Sequence, residues 1–388
     1  MTSEERKEAR YRRRKAQRAA RAEARNNALG GLETVFGYRR FYKAGKKCCN
    51  GVRGKASTTA FEVRLFSGTA ARRKAVCEGR WKGKPYHHFL LNERGKTREI
   101  SAPHITDRQV HKTISQEILQ PLYTPSMIWE NGASQKGKGT EWHYKLLKRQ
   151  LLAHWKQYGR KGAVLLMDLK GYFYNVPYRL VLERHRRLIL NKELRALADQ
   201  NIADAMRDKR VKGLPLGVEP SQQEMVSLPG EIDQWIKCQL RAHGMGHFMD
   251  DYYLLWPDRK ELAEIAREII RRFTEAGIPV NLDKCRIVPL EKPFRFCKVR
   301  YTLREDGKIK MNRGRDGAKR CWRKAKMFLR EWRRGRMELG KICQDLGSHL
   351  AYYRKFDDYG RYRRLRDAIL KLFGGAIRCR KYFYPMEA

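Results

Sequence analysis

The sequence predicts an α+β fold, a mixed core of short strands and helices followed by a basic helical appendage. Three observations predict it. Short apolar runs bounded by turn residues, such as AVLLM at 163–167 and YYLLW at 252–256, alternate with segments of helical spacing. Beyond about residue 312 the chain is helical in pattern, aromatic and strongly basic, as in CWRKAKMFLREWRRGRMEL. No internal repeat or low-complexity linker interrupts the 388 residues, so the elements belong to one layered core and its extension.

Taken in order, residues 1 to about 28 are rich in Arg and Ala without an apolar stripe and read as a solvated basic arm. Strands are expected around 86–100 and helices over about 106–120 and 140–157. The run 163–167 after Gly162 suits a buried central strand, and Asp168 breaks its apolar pattern. A helix-rich insert follows to about 210, then Gly213-Leu-Pro-Leu-Gly217 turns into a helix from Ser221 to about Leu240. HFMDDYYLLW reads as a β-hairpin with two carboxylates at its turn. In DRKELAEIAREIIRRFTEA the spacing of Leu262, Ile265, Ile269 and Phe273 gives an amphipathic helix, and RIVPL and FRFCKVRYTL read as the closing strands.

A formal charge of +44 and an isoelectric point near 10.2 repel themselves unless a polyanion neutralises them, so nucleic acid is the expected partner. The basic arm is then either an RNA-gripping helix that orders on binding or a frayed charged terminus. No apolar run approaches bilayer length and no secretory signal opens the chain, which predicts no membrane partner. The nine cysteines are odd in number and lack Cys-x-x-Cys spacing. That pattern fits neither zinc nor a disulfide framework and predicts a reducing, cytoplasmic compartment.

Phosphoryl transfer to a growing nucleic acid uses two divalent cations about 4 Å apart, one at the attacking hydroxyl and one at the triphosphate. Asp168 at a strand end and Asp250 with Asp251 at a hairpin turn supply the carboxylates if the two strands are neighbours. An Asp pair alone is weak evidence, since turns favour Asp. Here Phe248, Met249, Tyr252 and Tyr253 flank the pair, and carboxylates beside an apolar ladder are costly without a neutralising partner. The hard oxygen donors point to Mg²⁺, as two ions.

The chain resembles a reverse transcriptase from about Phe89 to Tyr362. Asp168-Leu-Lys-Gly-Tyr-Phe173 is similar to the family's first catalytic block, Phe248-Met-Asp-Asp251 to its Tyr-x-Asp-Asp block, and Gly213-Leu-Pro-Leu-Gly217-Val-Glu-Pro-Ser221-Gln222 to the template and nucleotide block between them. The resemblance implies a right-hand polymerase: a basic arm over 1–30, fingers over 31–160 with the insert 181–210, a palm over 161–180 and 211–304 with an antiparallel sheet packed on helices, and a thumb over 305–388. It implies RNA-directed DNA synthesis from dNTPs on template RNA, through an RNA-DNA heteroduplex. Asp168, Asp250 and Asp251 hold the metals with the backbone of Leu169. Lys284 is a general acid near pyrophosphate, or an ordinary lysine at a helix-to-strand turn. Lys96 and Arg98 match the finger positions that grip the triphosphate. Phe173 is the aromatic that excludes a 2′-hydroxyl, or a core ring. Leu216, Gly217 and Gln222 lie along the incoming nucleotide, with Leu216 where accurate relatives hold glutamine.

The segment after the sheet is only thumb-sized, which resembles stand-alone bacterial or phage enzymes. Ser221-Gln222 is similar to diversity-generating retroelement enzymes, while Phe248, Cys297-Lys298 and Val218-Glu219-Pro220 depart from them and leave an uncharacterised or antiviral reverse transcriptase as the rival. Either would use a dedicated non-coding RNA and an accessory protein. The rivals from other classes are a template-independent or protein-primed polymerase and a catalytically inactive RNA-binding protein.

Overall fold

In the computed structural model, which describes residues 2–93, 95–379 and 383–386, the chain divides into two units. The first comprises Met1–Tyr144, Met167–Tyr252 and Glu264–Cys285, the second Lys145–Leu166, Tyr253–Ala263 and Arg286–Ala388.

The first unit opens with α1 (Ser3–Leu29), whose N-terminus is closed by a reciprocal capping box: the Thr2 hydroxyl accepts the Glu5 N–H at 3.2 Å and the Glu5 carboxylate accepts the Thr2 N–H at 2.7 Å. With no apolar stripe, most of its length is exposed, and only its last turns are anchored. Asn26 is buried there, donating to the Leu188 carbonyl at 3.2 Å and accepting the Leu190 N–H at 2.8 Å. The solvated arm that the composition predicts is therefore a helix tethered at one end.

Helices α2 (Leu32–Val35), α3 (Tyr38–Cys48), α4 (Ala56–Val63) and α5 (Leu65–Cys77) fill a stretch whose sequence pattern leaves it unassigned. Their apolar residues are sparse and scattered among lysines and glycines, which hides the period. The hairpin of β1 (His87–Glu93) and β2 (Lys96–Ala102) follows, largely exposed and antiparallel. Then come α6 (Ile105–Thr113), a π-helical turn over Ile114–Leu119 and α7 (Gln120–Tyr123). Val35, Phe36, Phe41 and Val76 join Val110, Ile114, Ile118 and Leu119 in one buried cluster, which binds the early helices to this segment.

Helix α8 (Thr140–Tyr158) and strand β3 (Ala163–Asp168) come next, and every residue of β3 is buried. After α9 (Tyr172–Asn175), α10 (Tyr178–Leu188) and α11 (Lys192–Arg207), the helix expected over Ser221–Leu240 is divided into α12 (Glu219–Ser227), α13 (Gly230–Gln234) and a π turn over Trp235–Gln239. Pro229 has no N–H to continue the ladder, which accounts for the break. The hairpin of β4 (Gly244–Phe248) and β5 (Asp251–Trp256), helix α14 (Arg259–Glu275) and β6 (Arg286–Pro289) come next along the chain, and the four-stranded sheet has the order β4-β5-β3-β6. The four apolar residues singled out on α14 are all buried.

The second unit continues with β7 (Phe294–Phe296), β8 (Val299–Leu303) and β9 (Ile309–Arg313), an antiparallel sheet in that order. Strand β9 occupies a stretch whose sequence suggests the approach to the helical tail. The β7–β8 turn places Cys297 and Lys298 at φ 46° and 67°. Two consecutive left-handed residues make the tight turn that matches strand twist and normally takes Asn-Gly. Helices α15 (Arg315–Arg333), α16 (Leu339–Arg354) and α17 (Tyr359–Leu372) bury Phe328, Leu346, Tyr353, Tyr362 and Ile369 in one core, closed by Ile377 and Phe383 from the short strands β10 (Ile377–Cys379) and β11 (Phe383–Pro385). Those two strands interrupt a tail whose sequence pattern is helical throughout. Of the aromatic set in this tail, Tyr353 and Tyr362 are core residues, while Tyr352 and Tyr359 are exposed.

Candidate active site

Asp168 ends β3 and Asp250 closes the turn before β5, and the Leu169 N–H donates to the Asp250 carbonyl at 2.9 Å. Both lie in the first unit. The turn is two residues long, with Met249 at φ 60°, a left-handed conformation that costs a non-glycine residue about 1–2 kcal/mol. Packing holds it there. Phe248 and Met249 lie against Met127, Ala133 and Val226, and the wholly buried His247 sits within 2.8 Å of the Met249 carbonyl through Nε2. The other ring nitrogen stands 2.8 Å from the Asp233 carboxylate and 3.1 Å from the Asn131 amide, and the ring stacks on Tyr252 at 4.1 Å.

The Asp168 carboxylate accepts hydrogen bonds from Lys284 at 2.7 and 2.8 Å and from the Asn281 amide at 3.2 Å. Asn281 also donates its N–H to the Asp168 carbonyl at 2.8 Å, and Lys170 donates to the Pro279 carbonyl at 2.8 Å. These backbone bonds set the segment 279–284 beside the end of β3, and the short 3₁₀ turn Leu282–Lys284 aims the lysine. Asp250 has an exposed surface, yet the protein crowded around its carboxyl removes enough water to raise its pKa, and the charge of Asp168 adds to that. Its own backbone N–H, Lys284 and Arg98 pull the other way.

Among the described residues no three acidic, imidazole or thiol side chains converge into a ready metal cage. The donor set still suits a hard divalent cation: two carboxylates that feel each other's charge, hard oxygens only, and an ammonium already drawn onto Asp168. Asp251 follows at the first position of β5 and is half-buried.

A cleft of about 1080 Å³ is lined by Phe173, Leu216, Gly217, Gln222 and Met249, with Lys112 and Lys136 among its cations. Its loop is tied down by the Leu214 N–H to the Phe173 carbonyl at 2.8 Å and the Ser101 N–H to the Leu216 carbonyl at 2.9 Å. Gly213 is obligatory there, because at φ 61° a Cβ would fall 2.2 Å from the Phe173 carbonyl. The structure thus brings Asp168, Leu169, Asp250 and Lys284 together, and Phe173, Leu216, Gly217 and Gln222 around one cleft. Arg98 pairs with Glu93 at 3.0 Å and reaches the group only through its field on Asp250. Lys96 is exposed, opposite Glu93 in the hairpin register, and does not line the cleft.

Sequence reasoning missed three supports. Asn281, three residues before Lys284, carried a signal in that spacing. The His247–Asp233–Asn131 set carried none, because its members are far apart in sequence. Nor did the pairings of the buried His185 behind α12, which lies 2.6 Å from the partly exposed Asp199 and 3.4 Å from the buried Glu224.

The fold is of the α+β polymerase class. A family model described as reverse transcriptase (RNA-dependent DNA polymerase) matches residues 83–300, more than half of the chain, and the chain belongs to this family. Among solved structures it is similar to telomerase from Candida albicans in complex with a telomeric RNA fragment, at 12% identity over 75% of this chain and 55% of that one, with a TM-score of 0.47. It is also similar to apo telomerase from Candida tropicalis, at 10% identity over 59% and 48% of the two chains, with a TM-score of 0.45. The chain spans about half the length of these telomerase chains. No curated protein matches it in sequence. Among the described residues no helix is long and apolar enough to cross a membrane.

Proposed function

We propose that the chain is an RNA-directed DNA polymerase that extends a primer 3′-hydroxyl with dNTPs on template RNA. The observation that carries this reading is the bond between Leu169 and Asp250, which joins the acidic ends of β3 and the β4–β5 turn beside the cleft, with Lys284 on Asp168. Asp168, Asp250, Asp251 and the Leu169 backbone would hold two Mg²⁺ ions, which when bound supply activation of the hydroxyl and neutralisation of the triphosphate. Lys284 would leave Asp168 to protonate the departing pyrophosphate. Phe173 forms the floor under the sugar and excludes a 2′-hydroxyl. Leu216, Gly217 and Gln222 line the base side, and Lys96 and Arg98 on β2, which do not line the cleft in the free chain, would meet the triphosphate only once the hairpin moves and Arg98 leaves Glu93. In this reading residues 1–30 are a basic arm, 31–160 and 181–210 the fingers, 161–180 and 211–304 the palm, and 305–388 the thumb.

The role we infer is diversity generation or antiphage defence with a dedicated non-coding RNA and an accessory protein, supported by Ser221-Gln222. The decisive experiment is primer extension by purified protein with Mg²⁺, dNTPs and a primed RNA. DNA product is expected, abolished in Asp250→Ala with the circular dichroism spectrum retained. Extension at the parental rate by that variant overturns the site, and extension that persists without template makes the enzyme template-independent.

A further inference from the structure

Helix α12 leaves a carbonyl open where it stops. Residue 229 would donate the N–H that closes a helix onto the Met225 carbonyl four positions back, but it is a proline and has none. From its own helix that carbonyl has a share of the Leu228 N–H at 3.3 Å, which bonds the Glu224 carbonyl more closely at 3.0 Å. Met225 is wholly buried, and a poorly satisfied carbonyl in such a place is costly. Its close partner comes from another element. The Tyr172 hydroxyl donates to it at 2.8 Å, across 53 residues of sequence.

Tyr172 opens α9, a helix of four residues that follows the end of β3. A single turn of helix does not hold its own orientation, since so few bonds do not repay the fixed backbone. Its direction is set by what its residues touch. Tyr172 is buried, while the next residue, Phe173, lines the cleft. Neighbouring residues on a helix stand about 100° apart around its axis, so a turn that shifts the Tyr172 ring shifts Phe173 with it. Burial pushes the Tyr172 phenol well above its ordinary pKa and the charge of Asp233 adds to this, so the hydroxyl remains a donor. Helix α12 in turn brings Gln222 to the same cleft, and its end is held a second time by the Asn131 amide, which donates to the Val226 carbonyl at 2.9 Å. The bond from Tyr172 to Met225 therefore joins the wall that bears Phe173 to the wall that bears Gln222.

We propose that the Tyr172 hydroxyl is a positioning group for sugar selection: by holding the Met225 carbonyl that Pro229 leaves open, it fixes the tilt of Phe173 against the base side of the cleft. Tyr172 does not itself line the cleft. The inference rests on the polymerase reading and deepens it.

The test uses Tyr172→Phe, which keeps the buried ring and removes the hydrogen bond. Parent, Tyr172→Phe and Phe173→Ala are compared in primer extension with dATP and with ATP, each fitted for kcat and KM. The preference for dATP over ATP should fall by about three- to tenfold in Tyr172→Phe, the range that one hydrogen bond commands, and a lower KM for ATP should carry the change. An unchanged preference overturns the proposal, and so does an equal loss of rate with both nucleotides, which is what a loosened core would give. A parent that makes no DNA overturns the polymerase reading and this inference with it. An active parent whose preference shifts in Phe173→Ala and not in Tyr172→Phe overturns the inference alone. A second measurement needs no catalysis. Pro229→Ala restores an N–H four positions after Met225, so the drop in urea midpoint caused by Tyr172→Phe should be smaller in the Pro229→Ala background than in the parent, a non-additive pair. In the double variant the midpoint recovers while the sugar preference stays shifted. Additive midpoints overturn the sharing of the Met225 carbonyl, and a preference that recovers with the midpoint overturns the positioning role.

Discussion

Phe173 and Leu216 line the same cleft, and in the proposed function each governs a separate selection. The Phe173 carbonyl is pinned by the Leu214 N–H, so the ring cannot retreat without moving the loop. Phe173→Ala should therefore admit ribonucleotides at some cost in rate, read as the ratio of ATP to dATP incorporation. An unchanged ratio removes the steric role. Leu216 offers no hydrogen bond to an incoming nucleotide, and discrimination by shape alone is weak, of the order of 10 to 200-fold for small differences. Leu216→Gln should lower the error frequency in sequenced product DNA, and identical frequencies in the two proteins would remove the case for a diversifying role. These residues were legible because each stands in a short local motif. His247, Asp233 and Asn131 were not, since their network is assembled from three separate segments and leaves no spacing to read.

Helix α12 carries Gln222 toward the cleft and buries Glu224 behind it. His185 on α10 lies between Glu224 and Asp199, with Arg184 and Tyr123 as its other charged or titratable neighbours. Burial alone would lower the His185 pKa, but the two carboxylates win and push it up to about 9. A raised histidine pKa stabilises the fold most below the unfolded value of about 6.5, and the contribution is lost as pH rises through about 9. Urea midpoints should therefore fall between pH 6.5 and 9 in the parent, and His185→Gln should lose that slope along with about 3–5 kcal/mol from leaving the buried Glu224 unpaired. A parallel slope in the variant would place the pH dependence elsewhere. At this scale the strands and α14 were readable from period alone. The helices between 32 and 77 were not, because they bury few side chains each, and the break in α12–α13 turned on a single proline.

The charge of +44 belongs to the molecule as a whole. Affinity for RNA or heteroduplex should fall by about three to five decades between about 50 and 200 mM salt if 6 to 10 phosphates are contacted. Deleting residues 1–28 should flatten that slope if α1 grips RNA, and an unchanged slope would leave the tethered helix without that role. The division of the chain also fixes when the site can exist during synthesis. The first unit takes its residues from three stretches ending at Cys285, and Asp168 is 116 residues from its partner Lys284. At about 5–20 residues per second a ribosome needs about 6–23 s to cover that distance. Throughout that interval Asp168 lacks its lysine, and of the two strands that flank β3 only β5 is made before it ends, since β6 begins at Arg286. A nascent chain stopped before Asn281 should thus remain protease-sensitive at 163–168, and one released beyond Pro289, with β6 made and paired to 163–166, should become resistant there.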